Sequence, residues 1–515
     1  MNESINGEQR RRRLPLWATV ALSLATVGPT LAMAGNGQGL IGTVGKGIPL
    51  VFVLGLIGVG LVAYGFIRLT RHMNHAGSAY ALVGATLGPR AGFFSGFAML
   101  GAYLGFAIGT VALFSAFTNA FLLQVQNGRS NAFQLPWIIP ALVAVAASGL
   151  LAGRDTRLIA RILIIIEGVG IVAMIILVAV IFAKGGAKST GVDFSVFSFS
   201  GGVGVSAVMS GIVAAFLSWA GFEACAALGE ETDNPRRNIP RALTGTLALT
   251  GVLFVVVMFA QTIGFGTDKA GLTAFQTSGN TLGDLGKTYI GTGFSLIIVF
   301  TAIISAFACH MASASTASRL IFAFARDGFG PRRLATVDSR THAPREALWL
   351  VIGLALVVNV ISWGTGWPRL GTGNAAIDSY FLFAVAGAVT LMVAYFMVEA
   401  AAIKFVTARG FSERTGESGI GLGVALPGVG LVVIAVVLYY NLKGQTSVFS
   451  SPPYVGVAWA VVGLLVALFG ARLTRRIGQS LTAELESTRS DVMAELDSPR
   501  PAAELATEAK PGEVV

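Results

Sequence analysis

The chain has 515 residues, of which 54% are apolar and only 12% charged, with a mean hydropathy of +0.73. That leaves too little polar surface to cover a water-soluble globule of this size, so the sequence reads as a membrane protein. Its formal charge of +10 does not mark a nucleic-acid partner, because the cations sit in short loops between apolar runs and not on one basic face. The two cysteines, Cys225 and Cys309, fall inside apolar stretches, which excludes a disulfide scaffold and a four-cysteine zinc site.

Crossing a hydrocarbon core of about 30 Å takes roughly 20 apolar residues in a helix, since lipid leaves backbone hydrogen bonds to be made within the segment. Twelve stretches qualify, near residues 16–44, 48–69, 91–123, 136–152, 159–183, 204–228, 241–265, 286–318, 347–364, 376–403, 419–441 and 454–472. Runs such as Leu50–Phe66 do not alternate in polarity, which excludes a strand barrel. An all-α polytopic membrane protein with 12 transmembrane helices is therefore expected, and the bilayer is its first partner.

Cationic loops resist translocation. With residues 1–13 taken as a cytoplasmic tail, 25 Lys and Arg fall on the inner side, from Arg10 to Arg476, against 8 on the outer side, among them Lys46, Lys184 and Lys443. This asymmetry places both termini in the cytoplasm. The first span is too long for a secretory signal and shows no clear cleavage site. Residues 477–515, rich in acid, proline and alanine, read as a disordered cytoplasmic tail with room for one short helix near Leu481–Leu496.

Two spans carry interruptions. Gly28, Pro29 and Thr30 lie in the middle of the first, where proline removes a backbone donor and clashes with the preceding turn. The sixth holds Ser218, Trp219, Ala220, Gly221, Phe222 and Glu223, a glycine and an acid inside an apolar run. Irregular backbone at membrane depth is tolerated where it lines a cavity, and half-helix ends there bind ions or polar groups. The alternative is a purely structural kink. The two breaks are five spans apart, as a duplicated five-helix unit in inverted orientation would give: repeat one about 16–183, repeat two about 204–403, then extra helices about 419–472.

Acids inside spans are costly, so Glu167 and Glu223 are candidates to carry a proton or pair with a cation, whereas Glu230 and Glu231 lie at the inner boundary. His310 reads first as a packing residue. Ser313, Ser315 and Thr316 offer hydroxyls to a sodium ion, but helix contact is the favoured reading. Met99 and Tyr103, four apart, share a face that either walls a cavity or packs in the core. No GxxxxGK[ST] loop occurs, and Gly35, Gly37 and Gly39 follow no strand, so energy is expected from gradients or exchange and not from ATP. Asp284 has no second intramembrane aspartate to form a catalytic pair.

Three stretches, AGSAYALVGATLGPRAGFFSGF (Ala76–Phe97), SWAGFEACAALGEETDNPRRNIPRAL (Ser218–Leu243) and ASRLIFAFARDGFGP (Ala317–Pro331), resemble the amino acid, polyamine and organocation superfamily of secondary transporters. With the spans, the likeness covers residues 14–476, the expected transporter domain. Pro235 and Pro240 punctuate the exit from span six, with Pro240 suited to the start of span seven.

The resemblance implies a five-plus-five inverted repeat and alternating access around a central site. It implies that the unwound part of span one, here Gly28, Pro29, Thr30, Leu31 and Ala32, presents amides to a substrate carboxylate. Span six, here Ser218, Trp219, Ala220 and Gly221, then meets the amine. Tyr103 and Trp219 are expected to close over the ligand. Glu223 matches an acid that some exchangers use in proton-linked gating. The first break departs from the Gly-small-Gly pattern of many members, and Glu167 stands where some proton-coupled relatives carry lysine. The expectation is an inner-membrane permease for amino acids working by proton symport or exchange, without a cofactor. Sodium is the disfavoured coupling ion, and polyamines or other organic amines are the second substrate class. A membrane sensor or an intramembrane enzyme is the alternative of another class.

Overall fold

In a computed structural model the protein is described over residues 14–72, 79–126, 133–152, 156–199, 204–228, 232–338, 344–407, 421–443 and 450–470. The tails, including Arg10–Arg13 and the helix expected near Leu481–Leu496, lie outside these residues, as do Glu230 and Glu231. Among the described residues the architecture is all-helical, and the only extended pairings are isolated bridges between Leu14 and Thr232 and between Ala187 and Gly191.

The first expected span is two helices, α1 (Leu16–Val27) and α2 (Pro29–Val44), which a short 3-10 turn joins to α3 (Ile48–His72). A short α4 (Ala79–Leu87) precedes the long α5 (Pro89–Val125), and α6 (Ile138–Leu151) and α7 (Thr156–Ala183) end the first half. In the second half α8 (Val205–Trp219) stops early and is followed by a 3-10 turn at Ala224–Leu228. Then come α9 (Pro235–Phe265), α10 (Lys269–Thr277), α11 (Thr281–Tyr289), α12 (Thr292–Arg326), α13 (Arg345–Thr365) and α14 (Ala375–Thr407). The last two helices are α15 (Leu422–Leu442) and α16 (Pro452–Phe469).

Among the described residues ten stretches are long and apolar enough to cross a membrane; one of them, Leu16–His72, holds the first two expected spans, and the fourth expected span is the shorter α6 of 14 residues, outside those ten. Two boundaries differ from the sequence reading. The eighth span begins at Thr292 and not at residue 286, because Gly291, at a φ of 140°, separates it from α11, which Asn280 caps through Gly283 N. The seventh begins at Pro235, where a missing N–H costs nothing in the first turn, and Pro240 lies within the helix.

Burial sorts the helices. In α5 83% of the apolar window is buried, against 28% in α15, so α5 is central and α15 peripheral. The outer helices α7, α15 and α16 turn Val172, Ile176, Val432, Val436, Leu464 and Leu468 outward. Apolar surface of that extent is stable against lipid and not against water. At the centre α5 packs on α14, and glycine sets the distance: a Cβ at Gly105 would lie 2.5 Å from the Phe383 carbonyl oxygen. On the loop after α7, Asp193 gathers Lys46 Nζ at 3.2 Å, Thr267 Oγ1 at 3.0 Å and the Ser195 hydroxyl at 2.5 Å. The Ser195 hydrogen bond, more than Lys46, holds this carboxyl down at about 2. It therefore stays ionised and clasps the loops beside the second half of the bundle.

Candidate functional site

The break in the first span is one residue wide. Gly28 adopts the left-handed conformation (φ 56°, ψ 65°), its N–H closing α1 on Leu24 O at 2.9 Å, and Pro29 then opens α2. Thr30, Leu31 and Ala32 are already helical, so the opening is narrower than the expected Gly28–Ala32 stretch. Backbone groups are freed nonetheless. Pro29 has no N–H to offer Ala25, Thr26 O accepts from Cys309 Sγ at 3.0 Å, and Leu31 N donates to Ser305 Oγ at 3.1 Å.

The sixth span breaks more widely. After α8 ends at Trp219 the chain turns through Ala220, Gly221, Phe222 and Glu223 before the 3-10 segment. Gly221 has a φ of 97°, and a Cβ there would meet Thr26 Cγ2 at 2.4 Å, so the two breaks touch at a position that only glycine fits. Ser23 of α1 satisfies the loosened backbone on both sides: its hydroxyl donates to Phe222 O at 2.9 Å and accepts from Cys225 N at 3.2 Å.

Each predicted acid is tied to a break. Glu223 accepts from Tyr103 at 2.6 Å, from Tyr395 at 2.6 Å and from Gly221 N at 3.2 Å, so one carboxyl group joins α5 and α14 to the sixth-span turn. Glu167, on α7, accepts from Thr30 Oγ1 at 3.0 Å and from Ser305, joining α2 to α12. Both carboxyl groups are buried.

Between the breaks lies a narrow cavity. The first break contributes Thr26, Val27 and Leu31, the second Leu217 and Ala220; α2 adds Asn36, α5 adds Phe106 and Thr110, α12 adds Cys309, and α14 adds Tyr380 and Ala384. Tyr380 donates to Asn36 Oδ1 at 2.6 Å and Asn36 Nδ2 to Ser218 Oγ at 2.9 Å, a neutral polar chain along one wall. Among the described residues no charged side chain lines the space.

Of the candidates read from sequence, Leu31 and Ala220 line this cavity and Ser218 supports it through Asn36. Gly28, Pro29 and Gly221 shape the breaks, Thr30 bonds Glu167, and Ala32 lies in the first turn of α2 with its N–H on Gly28 O. Tyr103 points to Glu223, and Trp219 packs against Phe52 and Phe254 at 5.5 and 5.4 Å, so neither covers the cavity in this conformation. His310 Nδ1 lies 2.7 Å from Ala107 O. Thr316 bonds Ala312 O and Ser315 accepts from Arg319, contacts within α12 itself. Sequence reasoning missed Asn36, Ser305, Tyr380 and Tyr395. For Asn36 a signal existed, an amide inside an apolar helix; a tyrosine or serine in a span carries no such mark.

A bundle with two interrupted helices facing each other across a buried polar cavity is the architecture of a secondary transporter. The crystal structure of MhsT in complex with L-phenylalanine shares this fold, with a TM-score of 0.55, covering 82% of this chain and 98% of that one at 15% identity. The chain belongs to the amino acid permease family, whose sequence model matches residues 14–467. The branched-chain amino acid permease BcaP of Lactococcus lactis subsp. cremoris (strain MG1363) is 24% identical over 66% of this chain and 73% of its own. The low-affinity putrescine importer PlaP of Escherichia coli (strain K12) is also 24% identical, over 67% of this chain and 74% of its own.

Proposed function

We propose that this protein carries amino acids with apolar side chains across the cytoplasmic membrane, coupled to protons, with both termini in the cytoplasm. The observation that carries the substrate assignment is the lining of the cavity, in which neutral polar groups sit beside Val27, Leu31, Phe106 and Leu217 without any ion. A zwitterion matches the two ends: α2 starts at the first break, where the positive end of its dipole suits a carboxylate, and α8 stops at the second, where the negative end of its dipole suits an ammonium. The apolar wall then takes an aliphatic or aromatic side chain. A diamine would need a carboxylate in the lining, and Glu167 and Glu223 stand behind the breaks instead. Their position beside the cavity and the relationship to a putrescine importer support amines as the second reading.

Proton coupling rests on the donor count at the two acids. An ionised carboxyl only accepts, and protonation turns one oxygen into a donor. At Glu223 the hydroxyl bond of Tyr103 or Tyr395 must then reverse or break, which loosens α5 or α14 from the sixth-span turn. At Glu167 the bond from Thr30 or Ser305 is affected in the same way, between α2 and α12. The excess of cations on the proposed inner loops, 25 against 8, supports the orientation. By the same reading residues 1–13 and 477–515 are cytoplasmic tails on a 14–476 transporter domain.

The test is reconstitution into vesicles with labelled leucine, phenylalanine and putrescine, varying pH and sodium independently. With one proton per substrate, an outside-acid gradient of one pH unit should accumulate leucine about tenfold, since a tenfold ratio is worth about 1.4 kcal/mol. A protonophore should abolish accumulation, and removing sodium should not. Uptake of putrescine without leucine would overturn the substrate class. Binding without flux would favour a sensor, and a hydrolysed product an enzyme.

A further inference from the structure

One buried acid has no place in the site described so far. Glu399, on α14, is fully buried, and among the described residues neither carboxyl oxygen has a hydrogen-bond partner. Its surroundings are built to receive it. A Cβ at Gly65 of α3 would lie 2.4 Å from Glu399 Oε1, so only glycine leaves that space, and Gly430 of α15 closes the other side with its Cβ position 3.6 Å from the carboxyl carbon.

Glu399 also stands in line with the proton candidate at the break. Tyr395 is one helical turn away on the same face of α14, and its hydroxyl bonds Glu223 Oε2 at 2.6 Å. Glu223 has three donors and Glu399 has none. An ionised carboxyl without donors is costly in apolar surroundings, whereas the neutral acid is tolerated. The other titratable groups on the packed elements are Tyr64, Arg68, Arg71 and His72 on α3, Asp378 and Tyr380 at the opposite end of α14 and Lys404 near its C-terminus, and Tyr439, Tyr440 and the capping Lys443 at the far end of α15. Arg68 extends toward Gly423 of α15 on the side of Glu399 nearer the helix ends that carry Arg71 and Lys404.

We propose that Glu399 is a second proton-binding site, the inner station that takes the proton from Glu223 through Tyr395 and releases it toward the cytoplasm. Protonated Glu223 gives its proton to Tyr395 Oη while Tyr395 gives its own hydroxyl proton to the Glu399 carboxylate. One proton moves, and the tyrosine is left neutral. In the conformation described here the proton rests on Glu399. No bond joins Tyr395 to Glu399 in this conformation, so the transfer belongs to another stage of the cycle.

The proposal rests on the proton-coupled reading above, and one experiment separates the two. In vesicles the ratio of gradient-driven accumulation to exchange at equal pH is measured for the wild type and Glu399→Gln, alongside pH-difference infrared spectra in the carboxylic C=O region. The ratio should fall about tenfold in Glu399→Gln, the loss of one coupled proton at one pH unit. The band of a buried neutral acid should vanish in that variant and persist in Glu223→Gln. A ratio within about twofold of wild type, or a band unaffected by Glu399→Gln, overturns the inner station while leaving proton coupling standing. A wild type indifferent to the pH gradient overturns the coupling reading and the station with it. If Glu399→Gln does not insert, Glu399→Asp keeps the acid and should shift the infrared band; an unshifted band overturns the proposal.

Discussion

Glu223 shows how much depends on one side chain. Its two oxygens are the meeting point of a tyrosine from α5, a tyrosine from α14 and a backbone amide of the sixth-span turn. Glutamine keeps the size but brings a fixed donor and cannot gain or lose a proton. Glu223→Gln is therefore expected to insert normally and to give leucine uptake that no longer varies with pH. A pH profile identical to wild type would remove Glu223 from the mechanism. At this scale the sequence was half legible. The acids were visible because charge inside an apolar run is costly. Their pairings were not, because the partners come from four other helices: Thr30 and Tyr103 stood out for the break and a shared helix face but not as partners of an acid, and nothing local marks Tyr395 or Ser305. The setting of Trp219 was hidden for the same reason: whether an indole faces a cavity or, as in this conformation, Phe52 and Phe254 depends on packing that one sequence does not display.

The two broken helices differ in a way that can be measured. At Gly28 the backbone is left-handed but there is room for a Cβ, the nearest atom being Ser305 Oγ at 3.4 Å. Gly28→Ala therefore costs mainly conformational strain, about 1–2 kcal/mol. At Gly221 the strain is joined by a clash, with Thr26 Cγ2 at 2.4 Å and Thr26 backbone carbon at 3.1 Å. Gly221→Ala should thus lower the unfolding temperature in detergent and the transport rate more than Gly28→Ala does; the opposite order would contradict the contact between the breaks. Pro29 had announced the first break, but its width was not legible. A proline opening a helix costs nothing there, so the chain resumes helical geometry at once and does not unwind through Ala32. The eighth span was placed too early for a similar reason, since the apolar run continues across Gly291 while the helix does not.

For the whole molecule, hydropathy and loop charge gave the helices and the proposed orientation, because lipid imposes both rules on every segment. What they could not give is which helices surround the site. The central position of α5 and α14 follows from close approach at glycines such as Gly105, a property of pairs of helices and not of either alone. The resulting bundle encloses Cys309, one of only two cysteines, in the cavity wall, with its thiol on Thr26 O beside the first break. This native thiol reports on the account's central claim, that a small solute is held between the two breaks and offered alternately to either side. In Cys225→Ala vesicles the rate of Cys309 alkylation is measured with membrane-impermeant reagent supplied from one side and then the other, with and without leucine. The account predicts labelling from both sides and strong protection by saturating leucine. Labelling that leucine leaves unchanged, in protein that transports leucine, would place the substrate elsewhere and contradict it.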